Sequence, residues 1–136
     1  MRIIGIDYGD SRVGVAVSDP LGITAQGIRT IKNKGMQNLL FELKKIIDEY
    51  TPEKIVIGLP KNMDGSLGFR ADATYAFADQ LKSIYNGEID FWDERLTTVG
   101  AARFLTETGT FKKARKNAID TLSACLILEG YMKKNS

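Results

Sequence analysis

The chain of 136 residues contains no histidine, one cysteine, three prolines and one tryptophan. Without imidazole, Ser-His-Asp and Cys-His nucleophilic catalysis and His-ligated zinc are excluded. Cys125 alone makes neither a disulfide nor a Cys-rich metal site, and this usage fits a reducing compartment. Long hydrophobic runs are missing too. The longest near the C-terminus, Leu122 to Leu128, is far below the ~20 residues that span a bilayer. The N-terminal MRIIGIDYGD is cut by Asp7 and is too short for the apolar core of a signal peptide, so a cytoplasmic protein without a membrane segment is expected. No one sign of charge dominates: 19 Lys and Arg face 17 Asp and Glu, a net charge of +2. Whatever chemistry the chain performs falls to carboxylates, lysines, arginines, hydroxyls or a hard metal ion.

Hydrophobic residues make up 43% and charged residues 26%, an ordinary balance that argues against disorder. The length suits one domain over residues 1–136, burying roughly two-thirds of the surface of the unfolded chain. Charge is unevenly spread. Residues 111–136 carry Lys112, Lys113, Arg115, Lys116, Lys133 and Lys134 against Asp120 and Glu129, a local net charge of +4 on a body of −2. Such a segment serves either as a phosphate footprint or as a solvated helix end.

Residues 2–8 and 13–18 read as strands joined by the short Gly9-Asp10-Ser11 connection, hence an antiparallel hairpin. A third strand is expected over Thr24–Ile31. Apolar residues at 39, 40, 43, 46 and 47 place an amphipathic helix over Met36–Tyr50, ending before Pro52. Ile55-Val56-Ile57 reads as a strand buried on both faces of a parallel sheet. A glycine-containing loop, a helix over about 69–85 and a strand over 89–92 follow. Thr97 or Thr98 caps a helix to about Thr106, and a last helix runs over about 115–132. Three sequential strands followed by strand–helix alternation predict an α/β fold with a mixed sheet.

Ligands of α/β sheets gather beyond the carboxyl ends of the parallel strands. Asp7 lies near the end of the first strand, and Asp93 and Glu94 follow the strand ending at Trp92. Asp120 sits among Ala118, Ile119, Leu122 and Ala124, where a lone carboxylate is expensive without a partner, a metal or water. Each has a plain structural reading: a turn hydrogen bond for Asp7, a loop pair tied to Arg95 for Asp93 and Glu94, an ion pair with Lys116 for Asp120. Together they suit a divalent-metal cluster of Mg²⁺ or Mn²⁺, which relieves their mutual repulsion. The loop Lys61–Ser66 offers amides, a lysine and a hydroxyl near a helix start, suited to an anion or to a surface turn, without P-loop spacing. Arg12 and Arg95 are expected on the same rim.

The segments IGIDYGDSRVGVAVSD, VIGLPKNMDGS, DERLTT and KNAIDTLSACLILEGYM, in order over Arg2 to Met132, closely resemble the YqgF family. Its members are described as Holliday-junction-resolvase-like proteins and as nucleases of the small-subunit ribosomal RNA precursor. The resemblance implies a ribonuclease-H-like fold with a five-stranded mixed sheet of order 3-2-1-4-5 and helices on both faces. It also implies roles for particular residues. Asp7 stands for the first-strand catalytic aspartate, Glu94 for the acidic residue after the fourth strand in the sheet order, and Asp120 for the aspartate of the last helix. All three become both catalytic and metal-holding. Arg12, Arg95 and Lys116 fall in motif positions that face substrate, and Lys61, Ser66, Lys112, Lys113 and Arg115 complete the expected phosphate contacts. The implied activity is metal-assisted phosphodiester hydrolysis with one or two ions, on an rRNA precursor or on a branched DNA, by a monomer or a homodimer. Two other readings stand beside it: a nucleic-acid-binding module without cleavage, and the actin–hexokinase ATPases, whose first phosphate loop IGIDYG also resembles.

Overall fold

A computed structural model of the chain describes residues 2–62, 64–96 and 121–135. The apolar, β-branched N-terminal segment forms β1 (Ile3–Tyr8), which turns at residues 9–11 into β2 (Arg12–Ser18). The two pair antiparallel, with Ile6 opposite Val15 and Tyr8 opposite Val13. β3 (Ala25–Lys32) continues the meander on the far side of β2. Its register slips between Val15 and Ala16, which face Arg29 and Gly27, so Ile28 is the extra residue of a bulge. β4 (Lys54–Leu59) and β5 (Glu88–Asp93) then add in parallel beside β1. The five strands lie in the order β3-β2-β1-β4-β5, as the family resemblance implied. Residues Ile55 to Leu59 are all buried, the mark of a strand covered on both faces.

Strand alternation sorts the side chains onto two unlike faces. Ile4, Ile6, Val13, Val15, Val17, Ile55 and Ile57 join one core under α1 (Met36–Tyr50) and α2 (Phe69–Leu81). α1 brings Leu39, Leu43, Ile46 and Ile47 to it, each burial contributing roughly 1.5–3 kcal/mol, while Leu40 is half-buried. Tyr8 stacks on Phe77 of α2 with ring centroids 4.4 Å apart, joining the end of β1 to that helix. α2 ends at Leu81, four residues before the expected Tyr85. Bonds from Ser83 N–H to the Gln80 carbonyl and from Ile84 N–H to the Leu81 carbonyl, both 3.1 Å, tighten the chain into short turns. The buried Tyr85 instead donates its hydroxyl to the Pro52 carbonyl at 3.0 Å.

The opposite face is floored by small residues. Gly5, Ala16 and Gly58 lie there with Val56, under α3 (Leu122–Lys134), whose Ala124, Ile127, Leu128 and Tyr131 point down onto them. The helix comes so close that a Cβ on Gly5 would sit 2.9 Å from Leu128 Cβ and 3.1 Å from the Ala124 carbonyl oxygen. A Cβ on Gly27 would strike Thr121. No described helix is long and apolar enough to cross a membrane. The expected helix from Thr97 or Thr98, and the start of the last helix with Asp120, Lys112, Lys113, Arg115 and Lys116, lie outside the described residues.

The contact beneath Gly5 involves backbone and Cβ atoms, which no rotamer change relieves. Gly5→Ala is therefore expected to cost about 1–3 kcal/mol by overpacking, read as a lower urea midpoint with an unchanged slope.

Candidate active site

Because β1, β4 and β5 are parallel, their carboxyl ends share one edge of the sheet. Asp7 stands at the end of β1 on the face that carries Gly5 and α3, since Ile6 and Tyr8 on either side of it pack against the other core. Gly5 faces Val56 and Ile6 faces Ile57, so the next pair along the ladder is Asp7 and Gly58. Gly58 in turn faces Trp92 of β5.

β5 ends at Asp93, and a single 3₁₀ turn, Glu94–Leu96, follows. That turn swings Glu94 back over the sheet. Glu94 is only 8% exposed, and a Cβ on Gly58 would lie 2.6 Å from Glu94 Oε2 and would strike Ile127 Cδ1. The Glu94 carboxylate thus occupies the space that Gly58 leaves open on β4, beside the position of Asp7 on β1. This corrects one expectation. Glu94 follows β5, the outermost strand, rather than the fourth strand in the order, and it reaches the middle of the sheet by leaning across a glycine. Sequence reasoning passed over Gly58, although a lone glycine inside the apolar run IVIGL signals close approach of another group.

Asp93 behaves differently from its neighbour. Arg95 Nε lies 3.1 and 3.2 Å from its two carboxylate oxygens, Arg95 Nη2 lies 2.8 Å from Oδ2, and the Arg95 N–H donates to Oδ1 at 3.0 Å. Lys61 Nζ stands 3.9 Å away. The Arg95 hydrogen bonds, outweighing some burial, hold the Asp93 carboxyl below the usual carboxylate range. Of the loop pair with Arg95 expected for Asp93 and Glu94, the Asp93 half is formed.

The β4–α2 loop closes the rim from the other side. Gly65 takes a left-handed φ of 87° and packs against the Arg95 guanidinium, which a Cβ would approach to 3.2 Å. Ser66 gives both its amide (2.9 Å) and its hydroxyl (2.6 Å) to Asp64 Oδ1, lowering the Asp64 pKa, and Asn62 Nδ2 donates to Ser66 Oγ at 3.0 Å. Arg12 opens β2 at the same edge, its carbonyl accepting the Gly9 N–H at 2.9 Å. Asp7, Arg12, Lys61, Ser66, Glu94 and Arg95 are therefore collected along one edge. Cys125 is half-buried, and burial pushes its thiol up to about 11, where it is unreactive.

The donor set at the centre of this edge is all oxygen, the ligand type of hard divalent cations. Asp7 and Glu94 fit such an ion, with Glu94 held by the floor of the site rather than by solvent. Among the described residues no group of three potential ligands occurs. Asp120 lies outside them.

Four comparisons with known proteins bear on this arrangement. The sequence profile of the family described as "RuvX: Holliday junction resolvase" matches residues 1–134. A protein of Halothermothrix orenii named "Putative pre-16S rRNA nuclease" is 50% identical over 132 residues, which are 97% of this chain and 94% of that protein. A protein of the same name from Clostridium botulinum is 49% identical over 132 residues, 97% and 96% of the two chains. The solved structure of Thermus thermophilus RuvC in complex with a Holliday junction substrate superposes with a TM-score of 0.62 over 99% of this chain and 95% of that one. At 13% identity this establishes a shared fold, the ribonuclease-H-like one.

The Asp93–Arg95 pair lowers the folded-state pKa of Asp93, so its contribution is present above the unfolded value of about 3.9 and is lost as pH falls through the folded value. Arg95→Ala is expected to lower stability slightly at pH 7, as loss of a largely solvated ion pair does. The difference from wild type should shrink toward zero in acid-unfolding curves as pH falls through the folded-state value.

Proposed function

Since the chain belongs to the RuvX family of Holliday junction resolvases, we propose that it is a metal-dependent nuclease that hydrolyses phosphodiester bonds of nucleic acid. Its substrate is the 5′ end of the small-subunit rRNA precursor or a branched DNA, with the rRNA precursor favoured by the names of the relatives at about half identity. The observation that supports the reading is the Glu94 carboxylate seated over Gly58 of β4, the strand beside β1, which carries Asp7 near its carboxyl end. Asp120, from the segment before α3, completes the acidic set in this proposal.

A divalent ion such as Mg²⁺ or Mn²⁺, when bound, supplies Lewis-acid stabilisation of the phosphoryl charge and makes the attacking water more acidic. The chain's own residues do the rest. Asp7 and Glu94 present oxygen donors on a rigid sheet edge, so the site is organised before substrate arrives. Asp93, neutralised by Arg95, keeps that guanidinium against Gly65 and holds the β4–α2 loop to the end of β5. Lys61 and Arg12 flank the carboxylates and draw the phosphate backbone toward them, together with Lys112, Lys113, Arg115 and Lys116. Ser66, bonded to Asp64, shapes the loop that carries Lys61. These contacts position the strand without reading bases. A module that only bound nucleic acid would gain nothing from burying a carboxylate beside a second one, because each repels the phosphates it must hold.

Asp7→Asn and Glu94→Gln should each lower Mg²⁺-dependent cleavage of an rRNA precursor or four-way junction by at least about 100-fold, with melting temperatures close to wild type. Undiminished cleavage by either purified variant overturns the assignment, and binding without cleavage by wild type favours the binding module.

A further inference from the structure

On the face under α3, the strand β4 presents Lys54, Val56 and Gly58 in alternation. The helix runs back along them, so that Tyr131 meets Lys54 at the start of the strand and Ile127 lies over Gly58 near its end. Tyr131 is only 4% exposed and packs with Val56, Trp92 and Ile127. Its hydroxyl is engaged on both sides. It accepts from Lys54 Nζ at 2.6 Å and donates to Asp90 Oδ2 of β5 at 2.9 Å. Each partner is anchored in turn. Lys54 Nζ stands 3.4 Å from Glu88 Oε2, and Asp90 Oδ1 accepts the Phe91 N–H at 2.9 Å. An ammonium on one side and a carboxylate on the other make both bonds charge-assisted, the stronger class.

The floor beneath the middle of α3 fixes the helix only weakly along its length. It is made of Gly5, Ala16 and Gly58, and apolar contact is non-directional. Hydrogen bonds demand a particular distance and angle, so the Tyr131 hydroxyl marks where α3 must lie along β4. That setting matters one helical turn earlier. Ile127 shares with Glu94 Oε2 the space that the missing side chain of Gly58 leaves open. A slide of α3 toward the carboxyl edge drives Ile127 into the Glu94 carboxylate, and a slide the other way removes the wall against which that carboxylate rests.

We propose that Tyr131 is a positioning residue. Its hydroxyl, clamped between Lys54 and Asp90, sets the register of α3 on the sheet and, through Ile127, holds the Glu94 carboxylate where it serves a divalent cation. The clamp acts from a distance: at about 3.3 Å per residue of strand, Lys54 lies roughly 13 Å from Gly58. The inference rests on the reading of Asp7 and Glu94 as a cation site and adds to it a determinant at the opposite end of β4.

The test is calorimetric titration of the full chain with Mn²⁺ alone. Tyr131→Phe keeps the ring in its cluster and removes only the hydroxyl, and it should weaken Mn²⁺ binding by about tenfold, the lower end of the loss for groups that orient metal ligands. Lys54→Met, at a half-buried position, reads the clamp from its other end and should weaken binding as well. The sign is diagnostic, because by Coulomb's law alone the removal of a positive charge favours a bound cation. Tyr85→Phe is the control. It removes a buried hydroxyl bonded to the Pro52 carbonyl on the other face of the sheet, and it should lower the melting temperature while leaving Mn²⁺ affinity within about twofold of wild type. Unchanged affinity in Tyr131→Phe, tighter binding by Lys54→Met, or an equal loss in Tyr85→Phe overturns the proposal. The two readings fail separately: wild-type Mn²⁺ binding that is indifferent to Tyr131 sinks the clamp, and Mn²⁺ binding that needs Tyr131 without any cleavage of nucleic acid sinks the nuclease.

Discussion

The closeness of α3 to the sheet is the constraint on which the arrangement of this molecule depends. On one face β1 and β4 present glycine where the other face presents isoleucine. The helix settles onto Gly5 until Leu128 Cβ and the Ala124 carbonyl are at contact distance, and Ile127 fills the space over Gly58. The same missing side chain admits the Glu94 carboxylate from the neighbouring strand end. Packing and chemistry thus share one gap. Any atom added at Gly58 competes with the core residue Ile127 and with the acidic group that the proposed reaction needs.

That gap also explains why two adjacent carboxylates have unlike fates. Asp93 ends β5 on the side of Lys61 and is spent on Arg95, where it fastens a loop. Glu94, one residue later, is turned inward by the 3₁₀ turn and buried over β4 beside the position of Asp7. Sequence adjacency is therefore a poor guide to shared function at a strand end, because successive residues leave the sheet on opposite faces.

The strands, the antiparallel hairpin, the buried parallel strand and the helix over Met36–Tyr50 were legible in the sequence, since each rests on a period of apolar residues or on a turn with few solutions. The strand order came from the resemblance of whole motifs; periodicity carries no information on which strands are neighbours. The end of α2 was misplaced because Tyr85 continues the apolar stripe while its hydroxyl answers to Pro52, a partner 33 residues away. Asp7 and Glu94 were legible as candidates, but the route by which Glu94 comes to lie over β4 was not. It depends on Gly58, and the meaning of a glycine lies in what occupies the space beside it.

The central claim is that Asp7 and Glu94 form one site for a hard divalent cation. Calorimetric titration of Mn²⁺ into the wild-type chain, Asp7→Asn, Glu94→Gln and the double variant tests it most directly. One shared site predicts that either substitution weakens binding by about tenfold or more, and that the double variant loses little beyond the singles. Wild-type Mn²⁺ affinity in Glu94→Gln, or losses that simply add, would contradict it.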